Sequence, residues 1–229
     1  MRRRGLLTLG ALALGHVLVG ATLVSLWRRP EPPPPEGTVE TLADYGPVPD
    51  FRLTERGGST VTRAALRGTV WLANFIYTAC TETCPLQSLQ VQRLQEEFAG
   101  ARDLRFVSIT VDPAHDTPEA LRRYAARHGA DPERWLFLTG PKPAIHALAR
   151  DGFRLGVSEA TPAARSGLPG WPPGPGPAFA SHGSGGLILH SPRFVLVDRQ
   201  GRIRAYHRTD DPGSLARLRD NLRELLAGR

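Results

Sequence analysis

The only two cysteines of the chain, Cys80 and Cys84, lie close together in the stretch FIYTACTETCPLQSL. Three residues separate them, one more than in the redox pair of a thioredoxin. Two sulfur atoms at such a spacing can cycle through a disulfide or hold a soft metal ion such as Cu(I). A purely structural bridge would close a very short loop and stabilise the fold little. A functional dithiol is therefore favoured, and the spacing alone does not choose between redox chemistry and metal binding.

The sequence around the cysteines predicts that they lie where a strand meets a helix. TVWLANFIYT (69–78) is an apolar run typical of a buried central strand. Pro85 suits the first turn of a helix that continues to Gly100. The apolar face of this helix is predicted to hold Leu86, Leu89, Val91, Leu94 and Phe98. Helix N-termini at the carboxyl ends of strands stabilise thiolates and gather ligands, so this placement favours a functional site.

The rest of the chain alternates between strand and helix patterns. The predicted elements are a hairpin around Gly57–Gly58, a strand over 104–111, a helix over 116–129 capped by Asp116 or Thr117, a strand over 134–140, a helix over 141–152, a hairpin over 193–207 turning at Asp198–Gly201, and a helix over 211–228. Residues 157–189 are rich in Pro, Gly and Ser and are predicted to form a long irregular insertion. This order indicates an α/β fold of the thioredoxin-like type, with a central mixed sheet flanked by helices.

The N-terminus predicts a membrane segment. Residues 5–27 carry no formal charge and, as a helix at ~1.5 Å per residue, would span the ~30 Å hydrocarbon core of a bilayer. Arg2–Arg4 favour an N-inside orientation, which puts the remainder on the extracytoplasmic (periplasmic) side of the cytoplasmic membrane. A cleaved signal peptide is the alternative, with the same compartment. We therefore expect a cytoplasmic stub and single-pass transmembrane anchor over 1–29, a Pro-rich linker over 30–47 and a folded domain over 48–229.

The net charge of +7 does not indicate a nucleic-acid partner. Five arginines and no acidic residue lie in residues 1–29, and the remainder is close to neutral, with 24 basic against 22 acidic residues. The sequence after residue 29 contains no basic stripe interleaved with aromatic residues. The excess of positive charge belongs to the predicted anchor.

Two histidines are candidates for a third ligand beside the sulfurs. His190, in LILHSPRF, comes just before the last hairpin, where a thioredoxin-like chain faces the active-site cysteines. His182, in the Gly-rich stretch FASHGSGG, is the alternative ligand. Two sulfurs and one imidazole would suit copper as Cu(I) or Cu(II). An incidental loop histidine remains the competing interpretation. His128, His146 and His207 are predicted to be surface residues.

Three separated blocks resemble the Sco/SenC family of copper chaperones. They are YTACTETCP (77–85), SITVDPAHDTPEALRRYA (108–125) and HSPRFVLVDRQGRI (190–203), and the resemblance covers about residues 48–225. The resemblance implies a thioredoxin-like fold in which Cys80, Cys84 and His190 bind one copper ion. It also implies delivery of copper to the CuA centre in subunit II of cytochrome c oxidase, or thiol–disulfide exchange on the cysteines of that subunit.

The second block contains one further candidate and one departure from the family. Asp112 aligns with the acidic residue of the family's VDP motif and could tune the site, contact a partner or merely enter the next helix. His115 stands where the family often carries arginine. Taken together, the sequence indicates a metal-transfer protein and not an enzyme in the strict sense. An extracytoplasmic thiol–disulfide oxidoreductase, with Cys80 and Cys84 as its redox pair, is the alternative.

Overall fold

A computed structural model describes residues 39–81, 83–155, 157–159, 187–189 and 192–228. The strands are β1 (Arg52–Glu55), β2 (Thr60–Thr62), β3 (Val70–Ile76), β4 (Leu104–Thr110), β5 (Trp135–Thr139), β6 (Val157–Glu159), β7 (Leu187–Leu189), β8 (Arg193–Val197) and β9 (Ile203–Arg208). The helices are α1 (Thr83–Glu97), α2 (Pro118–Arg127), α3 (Lys142–Ala147) and α4 (Pro212–Leu226). A 3-10 turn covers Arg63–Leu66, and a π turn covers Leu148–Gly152.

One seven-stranded mixed sheet, in the order β2-β1-β5-β4-β3-β8-β9, forms the centre of the described fold. β3, β4 and β5 are parallel neighbours, whereas β8 pairs antiparallel with β3 on its other side. This arrangement confirms the mixed sheet expected from the sequence. β6 and β7 pair with each other as a separate two-stranded ribbon, so the two ends of the predicted irregular insertion are strands.

Alternate residues of β3 enter two hydrophobic layers, one on each face of the sheet. Trp71 and Phe75 belong to one layer, in which both rings contact Phe153 edge-on. Leu72 and Ile76 belong to the other layer, together with apolar residues of α1, α2 and α4. Both cysteines pack in this second layer, and the sheet and its helices therefore fix the surroundings of the sulfurs.

Residues 39–47, which the sequence assigned to the linker, are part of the folded unit. The amide of Tyr206 donates to the carbonyl of Val39 at 2.8 Å, and the amide of Tyr45 donates to the carbonyl of Ile203 at 3.0 Å. Glu40 forms an ion pair with Arg217 of α4. The local sequence does not show this, because the segment gains its partners from β9 and α4, far along the chain. The described residues, from Val39 onward, belong to one compact unit.

The inward face of α1 near the cysteines is polar, contrary to the prediction of an apolar face that includes Leu86 and Leu89. Leu86 is 44% exposed and Leu89 is 38% exposed, whereas Gln87 and Ser88 are buried. The amide of Asn74 in β3 donates to Gln87 at 3.1 Å. Since such buried polar side chains are stable only when they are hydrogen-bonded, their partners on other elements set the rotation of the helix.

The hydrogen bonds beneath α1 continue across the sheet. Ser108 Oγ of β4 donates to Asn74 Oδ1 at 2.8 Å, and Trp135 Nε1 of β5 donates to Ser108 Oγ at 2.9 Å. Both Ser108 and Trp135 are fully buried. The helix that carries Cys84 is therefore tied through Gln87 to three neighbouring strands.

Two histidines that were predicted to lie on the surface are buried. His207 of β9 has no exposed surface and His146 of α3 has 9%. For His207 the reason is the cover supplied by residues 39–47 and by α4, where Asn221 Nδ2 lies 3.1 Å from His207 Nε2.

In the described part of the chain, no helix has the length and apolar composition required to cross a bilayer. The predicted anchor at residues 1–29 lies outside the described residues.

Candidate metal centre

Cys80 and Cys84 are both reduced and buried at the N-terminus of α1. Residues 77–81, here called the thiol loop, carry the chain from β3 to the helix. α1 begins at Thr83, so Cys84 lies in its first turn together with Pro85, which the sequence placed there. The backbone N–H of Cys84 donates to the Sγ of Cys80 at 3.4 Å, and the N–H of Cys80 donates to the carbonyl of Tyr77 at 3.1 Å.

The two thiols differ in their electrostatic surroundings. The neighbouring sulfur of Cys80, and secondarily burial, raises the pKa of the Cys84 thiol above its ordinary value. The Cys80 sulfur instead accepts the Cys84 N–H at a helix N-terminus, where the helix dipole favours negative charge. The two sulfurs therefore differ in their surroundings: the Cys80 sulfur accepts from the N-terminus of the helix, and the Cys84 thiol is buried in its first turn.

Tyr124 of α2 fixes the first turn of α1 through hydrogen bonds. Tyr124 Oη and Ser88 Oγ lie 2.8 Å apart, and Tyr124 also donates to the carbonyl of Cys84 at 3.4 Å. Burial raises the pKa of Tyr124 to about 12, so its hydroxyl keeps its proton at physiological pH. The carbonyl end of Cys84 is therefore fixed independently of its sulfur.

Asp112, the predicted additional contributor to the site, lies on the loop that follows β4. Its carboxylate lies 2.8 Å from Nδ1 of the exposed His115, and its backbone N–H donates to Thr110 Oγ1 at 3.0 Å. The contacts of Asp112 in the described structure are thus with its own loop. A role in tuning the sulfurs remains a prediction.

Asp116 is the acidic residue of this loop that reaches the thiol loop. Its carboxylate accepts hydrogen bonds from the N–H and the hydroxyl of Thr78 and from the hydroxyl of Thr110. The sequence had suggested Asp116 or Thr117 as the cap of α2, and the structure assigns the cap to Thr117, which accepts from the N–H of Ala120 at 3.2 Å. Sequence reasoning missed this function of Asp116 because its partner Thr78 lies 38 residues away.

The candidate imidazole ligands His190 and His182 both lie outside the described residues. The neighbouring topology is described: β8 begins at Arg193, and it runs antiparallel to β3 with Val195 opposite Ala73. The start of β8 therefore lies at the end of β3 that leads into the thiol loop. Among the described residues, no group of three or more His, Cys, Asp or Glu side chains is arranged to hold a metal ion.

Comparison with known protein families matches residues 40–227 to the SCO1/SenC family model. This chain belongs to the SCO1/SenC family. It is 36% identical over 94 residues to the SCO1 protein homolog of Bacillus subtilis, in an alignment covering 41% of this chain and 49% of that protein. It is 40% identical over 109 residues to the human mitochondrial SCO2 homolog, covering 46% of this chain and 40% of that protein. This Sco chain thus spans about half the length of the curated relatives it matches.

Solved Sco structures have the same fold. BsSco, described as carrying a disulfide switch and as a member of the Sco family of cytochrome c oxidase assembly proteins, superimposes with a TM-score of 0.63 at 24% identity, over 82% of this chain and 97% of its own. Bradyrhizobium japonicum ScoI with copper bound superimposes with a TM-score of 0.54 at 23% identity, over 76% of this chain and 99% of its own. The thioredoxin-like Sco fold expected from the sequence is confirmed.

Proposed function

We propose that this Sco protein is a membrane-anchored copper chaperone. It binds one copper ion through Cys80, Cys84 and His190 and delivers it to the CuA centre in subunit II of cytochrome c oxidase. The observation that carries the proposal is the pair of reduced, buried cysteines at the N-terminus of α1, beside the start of β8. The copper-bound state of B. japonicum ScoI, a structural neighbour, supports copper as the metal.

The donor set fits this cargo. Thiolates are soft ligands that prefer Cu(I), and one imidazole would complete a three-coordinate site that also accepts Cu(II). In the sequence His190 precedes Arg193 by three residues, and β8 starts at the end of β3 that leads into the thiol loop, so His190 is preferred over His182. A transferable metal needs few ligands, since each ligand must be exchanged for one of the receiving protein.

Two exposed leucines beside the thiols suit contact with a protein partner. In the described part of the chain, Leu86 and Leu89 are the large hydrophobic side chains with the greatest exposure, and both lie in the first two turns of the helix that carries Cys84. The exposed residue before them, Thr83, is uncharged, and the next exposed charge on α1 is Arg93. Exposed apolar patches of this kind often mark protein contacts, and we assign this one to the copper-receiving domain.

A negative charge at these leucines should therefore impair copper transfer and not copper binding. We expect Leu86→Glu and Leu89→Glu to slow transfer from the loaded domain to a purified CuA domain by about tenfold each, as in truncation of an interface anchor. Stopped-flow spectroscopy of the CuA absorption measures the rate. Ala99→Glu, which adds the same charge at an exposed position beyond the end of α1, is the control. Unchanged rates in both leucine variants would place the docking surface elsewhere.

Residues 1–29 would act as the single-pass anchor in this proposal. Their uncharged span and the arginines that precede it support an N-inside orientation, with the copper site on the extracytoplasmic side. The Pro-rich residues 30–38 then form the spacer, because the folded unit already includes Val39 and Glu40.

An extracytoplasmic thiol–disulfide oxidoreductase is the second candidate, and the position of the Cys80 sulfur on the Cys84 N–H favours it. The Cys80 thiolate would attack a disulfide of the CuA cysteines, and Cys84 would then attack the resulting mixed disulfide. The partner would leave with two thiols, and this chain would keep the Cys80–Cys84 disulfide. Reduction of insulin at thioredoxin-like rates, unaffected by His190→Ala, would favour this function over copper delivery.

A further inference from the structure

We infer that Asp116 is a positioning residue for the copper site. Through Thr78 it fixes the thiol loop, so that the Cys80 sulfur stays on the backbone N–H of Cys84. Asp116 would contact neither sulfur and would act through the backbone of the loop. Only the predicted effect on copper affinity rests on the proposed function, because the hydrogen bonds of Asp116 are those of the reduced protein.

The burial of Asp116 indicates a tertiary function. Only 1% of its surface is exposed, and removing a carboxylate from water is costly unless hydrogen bonds replace the lost hydration. A carboxylate placed only to start α2 would remain near solvent, and Thr117 already provides that cap. The position of Asp116 is therefore explained by what its oxygens bind.

Both oxygens of Asp116 are used to join two separate segments. Oδ1 accepts from the hydroxyl of Thr78, and Oδ2 accepts from the N–H of Thr78 at 3.1 Å and from the hydroxyl of Thr110. Thr110 ends β4, and Thr78 lies in the thiol loop two residues before Cys80. Asp116 therefore clamps the thiol loop to the end of the neighbouring strand.

The clamp continues through backbone hydrogen bonds to the sulfur. The carbonyl of Tyr77, the residue next to Thr78, accepts from the N–H of Cys80 at 3.1 Å. The Cys80 sulfur in turn accepts from the N–H of Cys84 at 3.4 Å. Since the first turn of α1 is held separately by Tyr124, the thiol loop is the part of the site whose position depends on Asp116.

The test compares Asp116→Asn with wild type in the reduced domain 38–229, which contains every described element. Asparagine keeps the size of the side chain but replaces one acceptor oxygen by a donor, which cannot accept from Thr78 or Thr110. We expect the amides of Cys80 and Cys84 to exchange with deuterium about tenfold faster. The Cu(I) affinity should fall about tenfold, as for other residues that orient metal ligands.

Glu119→Gln, three residues further on and exposed, makes the same change of charge and should leave both measurements unchanged. If Asp116→Asn does not fold, Thr78→Val is measured in its place, because it removes only the hydroxyl that donates to Asp116. We expect this variant to change amide exchange and Cu(I) affinity in the same direction, by smaller amounts. The inference is overturned if Asp116→Asn lowers the free energy of unfolding but leaves the two cysteine amides and the Cu(I) affinity at wild-type values. If the wild type itself binds no copper, the proposed function fails, and amide exchange alone decides the role of Asp116.

Discussion

Replacing either cysteine with serine should lower the affinity of the reduced domain for Cu(I) by about a thousandfold, or about 4 kcal/mol of binding free energy. Each substitution removes one of two soft ligands and leaves a hydroxyl, which binds Cu(I) poorly. Cys80 and Cys84 are both reduced and buried in the same layer, so neither sulfur is committed to a structural disulfide. The loss should therefore be similar for the two variants.

Anaerobic competition against a chromophoric Cu(I) chelator measures this loss. Thr81→Ser, an exposed change between the two cysteines, is the matched control because it keeps both sulfurs. Circular dichroism checks that the serine variants are folded. Affinities within tenfold of wild type for both cysteine variants would mean that copper is held somewhere else in the chain.

The second large effect is a loss of stability in mild acid caused by His207. Burial lowers the pKa of His207 to about 4, and the Arg217 guanidinium contributes in the same direction, whereas the Glu40 carboxylate partly opposes the shift. The other groups that face the ring are Asn221 and Ser214 of α4. The folded state therefore holds His207 neutral, whereas the unfolded chain binds a proton below about pH 6.5.

Because the pKa of His207 is lower in the folded state, its contribution to stability is present above pH 6.5 and is lost as the pH falls toward 4. At 1.36 kcal/mol per pKa unit, the free energy of unfolding should decrease by about 2 kcal/mol between pH 7 and 5, with a limit of about 3 kcal/mol. Urea unfolding at each pH measures this decrease.

His207→Gln provides the matched variant for the acid effect. Glutamine offers an amide oxygen to Asn221 but has no group that titrates in this range. We expect its free energy of unfolding to be lower than that of the wild type at pH 7. Between pH 7 and 5 it should change much less than that of the wild type. Parallel curves for wild type and His207→Gln would show that another group, such as Glu40, controls the acid sensitivity.

The elements that depend on local sequence were predicted well. The first hairpin turns at Gly57–Gly58, where Gly58 has a φ of +92°, and the last hairpin turns between Asp198 and Gly201 through a 2.9 Å hydrogen bond. Glycine is required where φ is positive, and turn residues carry that information in the sequence itself. The alternation of apolar strands and helices likewise sufficed for the mixed sheet.

The predictions that were wrong concern residues whose contacts are with partners distant in sequence. Leu86 and Leu89 were assigned to the core because helical periodicity does not reveal that Asn74 and Tyr124 offer hydrogen bonds to the opposite face of α1. His207 was assigned to the surface because residues 39–47 were taken as linker. Asp116 was taken as a cap because the short-range pattern allowed it. In each case a tertiary hydrogen bond or contact overrides the local pattern.

The measurement that tests the central claim most directly is an anaerobic Cu(I) competition titration of the reduced domain 38–229, with wild type, His190→Ala and His182→Ala compared. The proposal predicts tight one-to-one binding in wild type and His182→Ala, and a loss of about a hundredfold or more in affinity for His190→Ala. Unchanged affinity in His190→Ala would contradict the three-ligand site. Absent copper binding in wild type, with a readily cycled Cys80–Cys84 disulfide, would make this Sco protein a thiol reductase.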